Sequence, residues 1–168
     1  MPRLRRPTPA LLTLLVVISL LLYRLTDPPA LDHAVHRNSR EAVVAIVFDG
    51  DTFDTDRGER VRLLGIDAPE VAHHGKPGEP YGAESGEWLR QQLLGRTVRL
   101  QIGVEPTDRY GRTLAWVYHD GRLVNQELLA TGNARLLSRF GLPPDLEPAL
   151  RQAEATARLK KIGLWADR

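Results

Sequence analysis

Cysteine is absent from the 168 residues. That excludes disulfides, a thiolate zinc site and a thiol nucleophile. It leaves the compartment open, because a chain without thiols gains and loses nothing by export. Internal repeats and low-complexity tracts are missing as well. So is a general excess of positive charge. The chain carries a formal net charge of +2, but Arg3, Arg5, Arg6 and Arg24 all flank one N-terminal apolar run. From Leu31 onward 19 Lys and Arg stand against 20 Asp and Glu, a net of −1. Attraction to phosphate must then come from the placement of individual arginines, not from a global field. The length suits one ordinary domain, and a body of ~130 residues buries most of its apolar surface without a staple.

The apolar run extends from Leu11 to Tyr23, broken by Thr13 and Ser19. As a helix it covers ~20 Å at 1.5 Å per residue, short of a ~30 Å hydrocarbon core, and Pro7 to Ala10 bring it closer to a span. A basic flank followed by an apolar stretch has the layout of a signal peptide. Asp27-Pro28-Pro29-Ala30 is a poor cleavage context, so an uncleaved anchor fits too. A buried core helix is disfavoured by the basic flanks. The expected organisation is a signal peptide or signal anchor over residues 1–26, a linker over 27–40 and a single domain over 41–168. The positive-inside rule places that domain outside the cytoplasm, anchored to the membrane or released as a secreted or periplasmic protein.

Within the domain, strands are predicted for Val43 to Phe48, Asp51 to Thr55, Arg60 to Ile66, Val98 to Ile102 and Leu114 to Tyr118. Gly65 inside the third suggests a bend. Ala83 to Leu94 reads as a helix stopped by Gly95, and Leu123 to Thr131 as one closed by Gly132. A last helix begins near Asp145, with Leu146, Leu150, Ala153 and Ala157 on one face. Residues 71–80 read as an exposed loop. The expected class is α+β, mainly β: a five-stranded OB-type Greek-key barrel with about three helices.

Carboxylates and arginines gather in three places: Asp49-Gly50-Asp51-Thr52, Arg62 through Glu70, and Thr107-Asp108-Arg109-Tyr110-Gly111-Arg112. Each lies at a strand end or in a loop, where groups on a rigid scaffold usually act. Phosphodiester hydrolysis needs a hard cation, fixed positive donors and a group that positions water. Paired aspartates can hold a hard cation through oxygen. Arginines can grip phosphate with planar donors, and a nearby glutamate can orient water. Taken singly, each cluster reads more simply as a turn or a solvated strand residue; their joint order is what argues for chemistry. His73 and His74 read as solvated loop residues, Trp88, Leu89 and Trp165 as packing residues, and Lys160-Lys161 as a solvated helix end.

The stretch Val44 to Glu70, with Asp-Gly-Asp-Thr and Arg-Leu-Leu-Gly-Ile-Asp-Ala-Pro-Glu, resembles the staphylococcal (micrococcal) nuclease family, the thermonucleases. Thr107 to Arg112 resembles the family's Thr-Asp-Lys/Arg-Tyr-Gly-Arg motif. Tyr81-Gly82, Val124-Asn125 and Trp165 also fit, so the likeness covers roughly residues 41 to 167. The resemblance implies an OB-type barrel and a Ca²⁺-dependent endonuclease and exonuclease activity on DNA and RNA. It implies that Asp51 and Asp67 bind Ca²⁺ with the backbone carbonyl of Ala68, and that Glu70 is the proposed general base. By the same likeness Arg62 and Arg112 clamp phosphate, Arg109 and Tyr110 line the nucleotide pocket, and Asp49, Thr52 and Asp108 are supportive. Two positions depart from the family. Ala68 replaces a usual threonine, which keeps the carbonyl and loses a hydroxyl. Ser138 stands where the best-known member stacks a tyrosine. The expected partners are nucleic acid as substrate and a membrane through the N-terminal segment, with the protein a monomer. The competing reading is a catalytically dead barrel that binds nucleic acid or a peptide at the cell envelope. Dead copies are expected to lack several of Asp51, Arg62, Asp67, Glu70 and Arg112, and all five are present.

Overall fold

The computed structural model of the chain describes residues 38–72, 75, 77–139 and 141–166. The expected signal or anchor segment, the linker up to residue 37, and His73 and His74 lie outside the described residues. No helix among the described residues is long and apolar enough to cross a membrane.

Three strands open the domain: β1 (Ser39–Val47), β2 (Thr52–Thr55) and β3 (Arg60–Leu63). A two-residue strand, β4 (Ile66–Asp67), precedes helix α1 (Gly82–Leu93). The long hairpin β5 (Thr97–Thr107) and β6 (Thr113–His119) follows, and β7 (Arg122–Leu123) runs into α2 (Val124–Ala130). Strand β8 (Arg135–Leu136), α3 (Glu147–Leu159) and a 3₁₀ turn (Gly163–Trp165) complete the chain. β1 lies between β2 and β5, antiparallel to both. β2 pairs with β3 and β5 with β6, again antiparallel, while β3 pairs parallel to β6. The ring β1-β2-β3-β6-β5 therefore closes on itself. This is the expected five-stranded OB-type barrel with three helices; closure leaves its strands without the open edges that invite aggregation.

The strand alternation explains what faces inward. On β3, Val61 and Leu63 are buried in the barrel, so Arg60 and Arg62 point outward. Phe53, Val44, Val98, Leu100 and Ala115 fill the interior. Each fully buried Leu, Val or Phe contributes ~1.5–3 kcal/mol relative to exposure. α1 adds Leu89 and Leu93 to this core, with Trp88 half-buried beside them. α3 buries Leu150, Ala153 and Ala157, the face expected from their spacing, and Leu146 packs against the same core.

The third predicted strand does not run unbroken from Arg60 to Ile66. It stops at Leu63, turns through Leu64-Gly65 and resumes as β4. Gly65 takes φ +69°, and a Cβ there would lie 2.5 Å from the Trp116 ring. The turn is locked by Leu64 N–H donating to the Ala115 carbonyl (2.9 Å) and Leu137 N–H donating to the Gly65 carbonyl (2.8 Å). The break carries the chain off the barrel so that Asp67 pairs with Arg135 across β4 and β8. β1 also begins at Ser39, two residues before the expected start of the domain, because residues 39–43 pair along β5.

Candidate active site

The Asp49-Gly50 turn joins β1 to β2 and delivers Asp51. Asp49 Oδ1 accepts from the Asp51 backbone N–H at 2.9 Å, a local clamp that shapes the turn. A Cβ on Gly50 would fall 1.8 Å from Ser85 Oγ and 2.7 Å from the Ala68 Cβ. Glycine is what allows this turn to lie against α1 and the segment after β4. Ser85 in turn donates to the Asn133 carbonyl at 2.7 Å.

Asp51 is 4% exposed. Its Oδ2 accepts from the Ala68 backbone N–H at 2.7 Å and its Oδ1 from Thr52 Oγ1 at 3.0 Å. Arg62 Nη1 forms an ion pair with Oδ2 at 2.9 Å. Burial pushes the Asp51 carboxyl up to about 8; Arg62 pulls it down, and the nearby Asp49 adds to the rise.

Arg62 points outward from β3, yet its side chain is only 13% exposed. Besides Asp51 it reaches the Leu63 and Ile66 carbonyls (3.0 and 3.1 Å from Nη1) and Asp67 Oδ1 (3.1 Å from Nη2). One guanidinium thus bridges both expected metal-binding carboxylates and pins β4 to β3. Asp67 itself is 57% exposed, so this group has a buried floor and an open side. Buried Asn125 supports it from below. Its Oδ1 accepts from Val117 N–H (2.9 Å), and its Nδ2 donates to the Leu64 carbonyl (2.8 Å). Asn125 therefore holds the β3–β4 turn on which the position of Asp67 depends. Its sequence signal was only a place in a family-like dipeptide, and its positioning contact spans 61 residues.

Glu70 is exposed, three residues beyond Asp67. Its backbone is fixed: the carbonyl accepts from Glu79 N–H at 2.8 Å, and a Cβ on Gly82 would stand 2.2 Å from that oxygen. The third cluster forms the turn between β5 and β6. Asp108 Oδ1 accepts from the backbone N–H groups of Tyr110 (2.9 Å) and Arg112 (3.0 Å), and Oδ2 from Arg112 Nε (2.7 Å). Burial would raise the Asp108 carboxyl, but these donors, with the charge of Arg112, hold it below its ordinary value. Arg109 Nη2 donates to the Tyr110 hydroxyl at 2.6 Å and lies 4.7 Å from the ring centroid; Arg112 lies 5.5 Å from the same centroid.

Asp51, Arg62, Asp67 and Ala68 are thus in direct contact, and Arg109, Tyr110 and Arg112 form a second contiguous set. Among the described residues no hydrogen bond or ion pair joins the two sets, or joins either to the Glu70 side chain. The β3–β6 register supplies the link. Arg62 sits opposite Leu114, and Arg112 comes two residues earlier on that neighbouring strand's entry. An open groove of about 530 Å³ along α1, lined by Tyr81, Glu84, Trp88 and Asn133 among others, shares no residue with these sets.

The carboxylate oxygens of Asp51 and Asp67 are of the kind that suits a hard cation, and Arg62 engages one oxygen of each. Among the described residues no three His, Asp or Glu side chains group closely enough to hold a metal by themselves. Ala68 is buried, and Ser138 is exposed on the segment after β8.

Residues 60–167 match the family described as Staphylococcal nuclease homologue. Over 159 residues the chain is 33% identical to the thermonuclease of Staphylococcus intermedius, covering 92% of this chain and 94% of that protein. It is 32% identical over 134 residues to the thermonuclease of Staphylococcus hyicus, 77% of this chain and 78% of the other. It is 39% identical over 125 residues to the probable endonuclease lcl3 of Aspergillus flavus, covering 66% of this chain and 44% of that longer protein. With the barrel closed as the sequence predicts and the match spanning most of it, the chain belongs to the staphylococcal nuclease family.

Proposed function

We propose that this protein is a Ca²⁺-dependent nuclease that hydrolyses phosphodiester bonds of DNA or RNA. The carrying observation is the buried Asp51–Arg62 pair opening onto exposed Asp67. It sets a guanidinium and two carboxylates at a barrel surface, where an extended phosphate chain has access. Family membership and the names of the relatives, a thermonuclease and a probable endonuclease, support the same reaction class.

Asp51, Asp67 and the Ala68 carbonyl would hold the cation. A divalent ion there supplies charge neutralisation of the phosphate and polarisation of water. The protein residues do the rest. Arg62 and Arg112 donate to the equatorial phosphate oxygens as their charge grows in the transition state. Glu70 accepts a proton from the attacking water while an oxygen–phosphorus bond forms. The opposite ester bond breaks, and the departing oxygen takes its proton from solvent. Arg109 and Tyr110 flank the nucleotide. The absence of a stacking tyrosine at Ser138 weakens base binding on that side, by ~1–3 kcal/mol per lost stack.

The N-terminal basic flank and apolar run support export, with the nuclease domain outside the cytoplasm as an anchored or released monomer. Cell fractionation and mass spectrometry of the mature N-terminus test this; a soluble cytoplasmic full-length protein in its host would refute it. The central test incubates the protein with single-stranded DNA and with RNA in Ca²⁺, in Mg²⁺ and in EGTA. Cleavage that needs Ca²⁺ and stops with EGTA is expected. Equal turnover with Mg²⁺ alone would count against the Ca²⁺ site. Nucleic-acid binding with no cleavage under any metal would move the reading to a binding barrel.

A further inference from the structure

Outside the set around Asp51, the outward face of β1–β3 carries an arginine held between a carboxylate and an aromatic ring, an arrangement that Arg158 shares with Glu154 and Trp165. Arg60 Cζ lies 4.1 Å from the Phe48 ring centroid. Its Nε and Nη2 donate to separate oxygens of Asp54 at 2.8 and 3.0 Å. Asp54 and Arg60 are also register partners across β2 and β3. The guanidinium is thus clamped along one edge and backed on one face, while the Arg60 side chain remains 49% exposed. Phe48 is 37% exposed and Ile46, the β1 partner of Asp54, 51%.

The location makes the arrangement useful. Arg60 is two residues from Arg62 on the same strand face, about 6.6 Å away at 3.3 Å per residue. Phe48 directly precedes Asp49, and its N–H donates to the Thr52 carbonyl. The strip is therefore continuous with the site that reads the phosphate. Planar guanidinium groups and aromatic rings are what single-stranded bases stack on. Asp54 already neutralises Arg60, so the exposed face favours a base over a second phosphate.

We propose that Arg60, clamped by Asp54 and backed by Phe48, is a stacking platform for a nucleobase one step along the chain from the phosphate held at Arg62. The subsite rests on the nuclease reading above. It supplies, on the β1–β3 side, a stack of the kind that Ser138 does not provide.

The test is fluorescence anisotropy of the full chain with a fluorescein-labelled single-stranded oligothymidylate of about eight nucleotides, within the span of one OB barrel. Ca²⁺ is present and the oligonucleotide carries cleavage-resistant phosphorothioate linkages, so affinity is read without turnover, and thermal melts accompany every variant. Arg60→Ala is expected to weaken binding about tenfold, equivalent to about 1.4 kcal/mol. Arg60→Lys, which keeps the charge and loses the plane, should weaken it nearly as much. The slope of log affinity against log salt should stay unchanged in both, because no phosphate contact is lost. Native affinity in Arg60→Lys, or a slope reduced by about one in Arg60→Ala, would overturn the platform and leave the nuclease reading intact. No binding of the oligonucleotide by the unsubstituted protein would overturn both.

Discussion

The two arginines proposed to face phosphate are held in opposite ways. Arg62 has a side chain 13% exposed, shared among Asp51, Asp67 and two backbone carbonyls from β3 and β4. Arg112 is 29% exposed and hangs from one carboxylate, Asp108, inside a five-residue turn. The first is a tertiary construction, made by strand pairing and a glycine turn. The second is local, made by residues four apart. A group fixed by the whole fold gives up stability when it is changed. A group fixed by its own turn gives up function alone.

The strongest way to break this contrast is Arg62→Ala. Removing it leaves Asp51 buried and unpaired, which typically costs ~3–5 kcal/mol. Chemical denaturation should show that loss, along with abolished cleavage. Native-like stability in this variant would mean that the pair is not structural. Arg62→Lys should lower the melting temperature as well, because an ammonium cannot reach four acceptors spread over β3, β4 and the β1–β2 turn.

Arg112→Lys sharpens the other half. Its kcat should fall roughly 10²–10³-fold, the usual cost of a preorganised donor, with melting temperature and Ca²⁺ affinity nearly unchanged. Single-turnover kinetics with a parallel melt decides it. A large loss of stability would erase the distinction between the two sites.

Gly82→Ala acts through backbone alone. The new Cβ would meet the Glu70 carbonyl at 2.2 Å, so helix α1 or the Glu70 segment must move. Overpacking of this kind costs ~1–3 kcal/mol. Cleavage should fall more than stability, since Glu70 is displaced; equal turnover in the variant would separate Glu70 from the reaction.

The smallest effect is a pH dependence at the barrel mouth. Glu59 joins Arg40 on β1 to Thr113 on β6. Burial raises its carboxyl, but the hydrogen bonds from Thr113 and Arg40 outweigh it and hold the group below its ordinary 4.5. A lowered folded-state value means stability present above the unfolded value and lost as pH falls through the folded one. The stability gap between the native protein and Glu59→Gln should therefore be full near neutrality and shrink below about pH 4.5. A constant gap across that range would show that Glu59 acts by shape, not charge.

Much of this was legible in one dimension because the signals are local. Alternation placed Val61 and Leu63 inside and Arg62 outside. Gly95 and Gly132 marked the ends of two helices, and both take positive φ just beyond them. The three-and-four spacing found the buried face of α3. The Asp108 turn closes within five residues, so its motif and its structure are nearly the same object. The break in the third strand was harder to read, because an apolar-rich stretch with one glycine is compatible with a bend or a clean turn. The Trp116 ring, 51 positions away, together with Leu142 decides that no side chain fits there.

By itself the sequence determined which residues could do the chemistry, and which faces of strands and helices they occupy, since residue type and spacing act over a few bonds. The tertiary structure alone decided that Asp51 is buried, that one arginine bridges both carboxylates, and that Asn125 and Gly82 hold the segments carrying Asp67 and Glu70. Those outcomes depend on which distant segments exclude water and leave room for one another, and close packing settles that only when the whole barrel has closed.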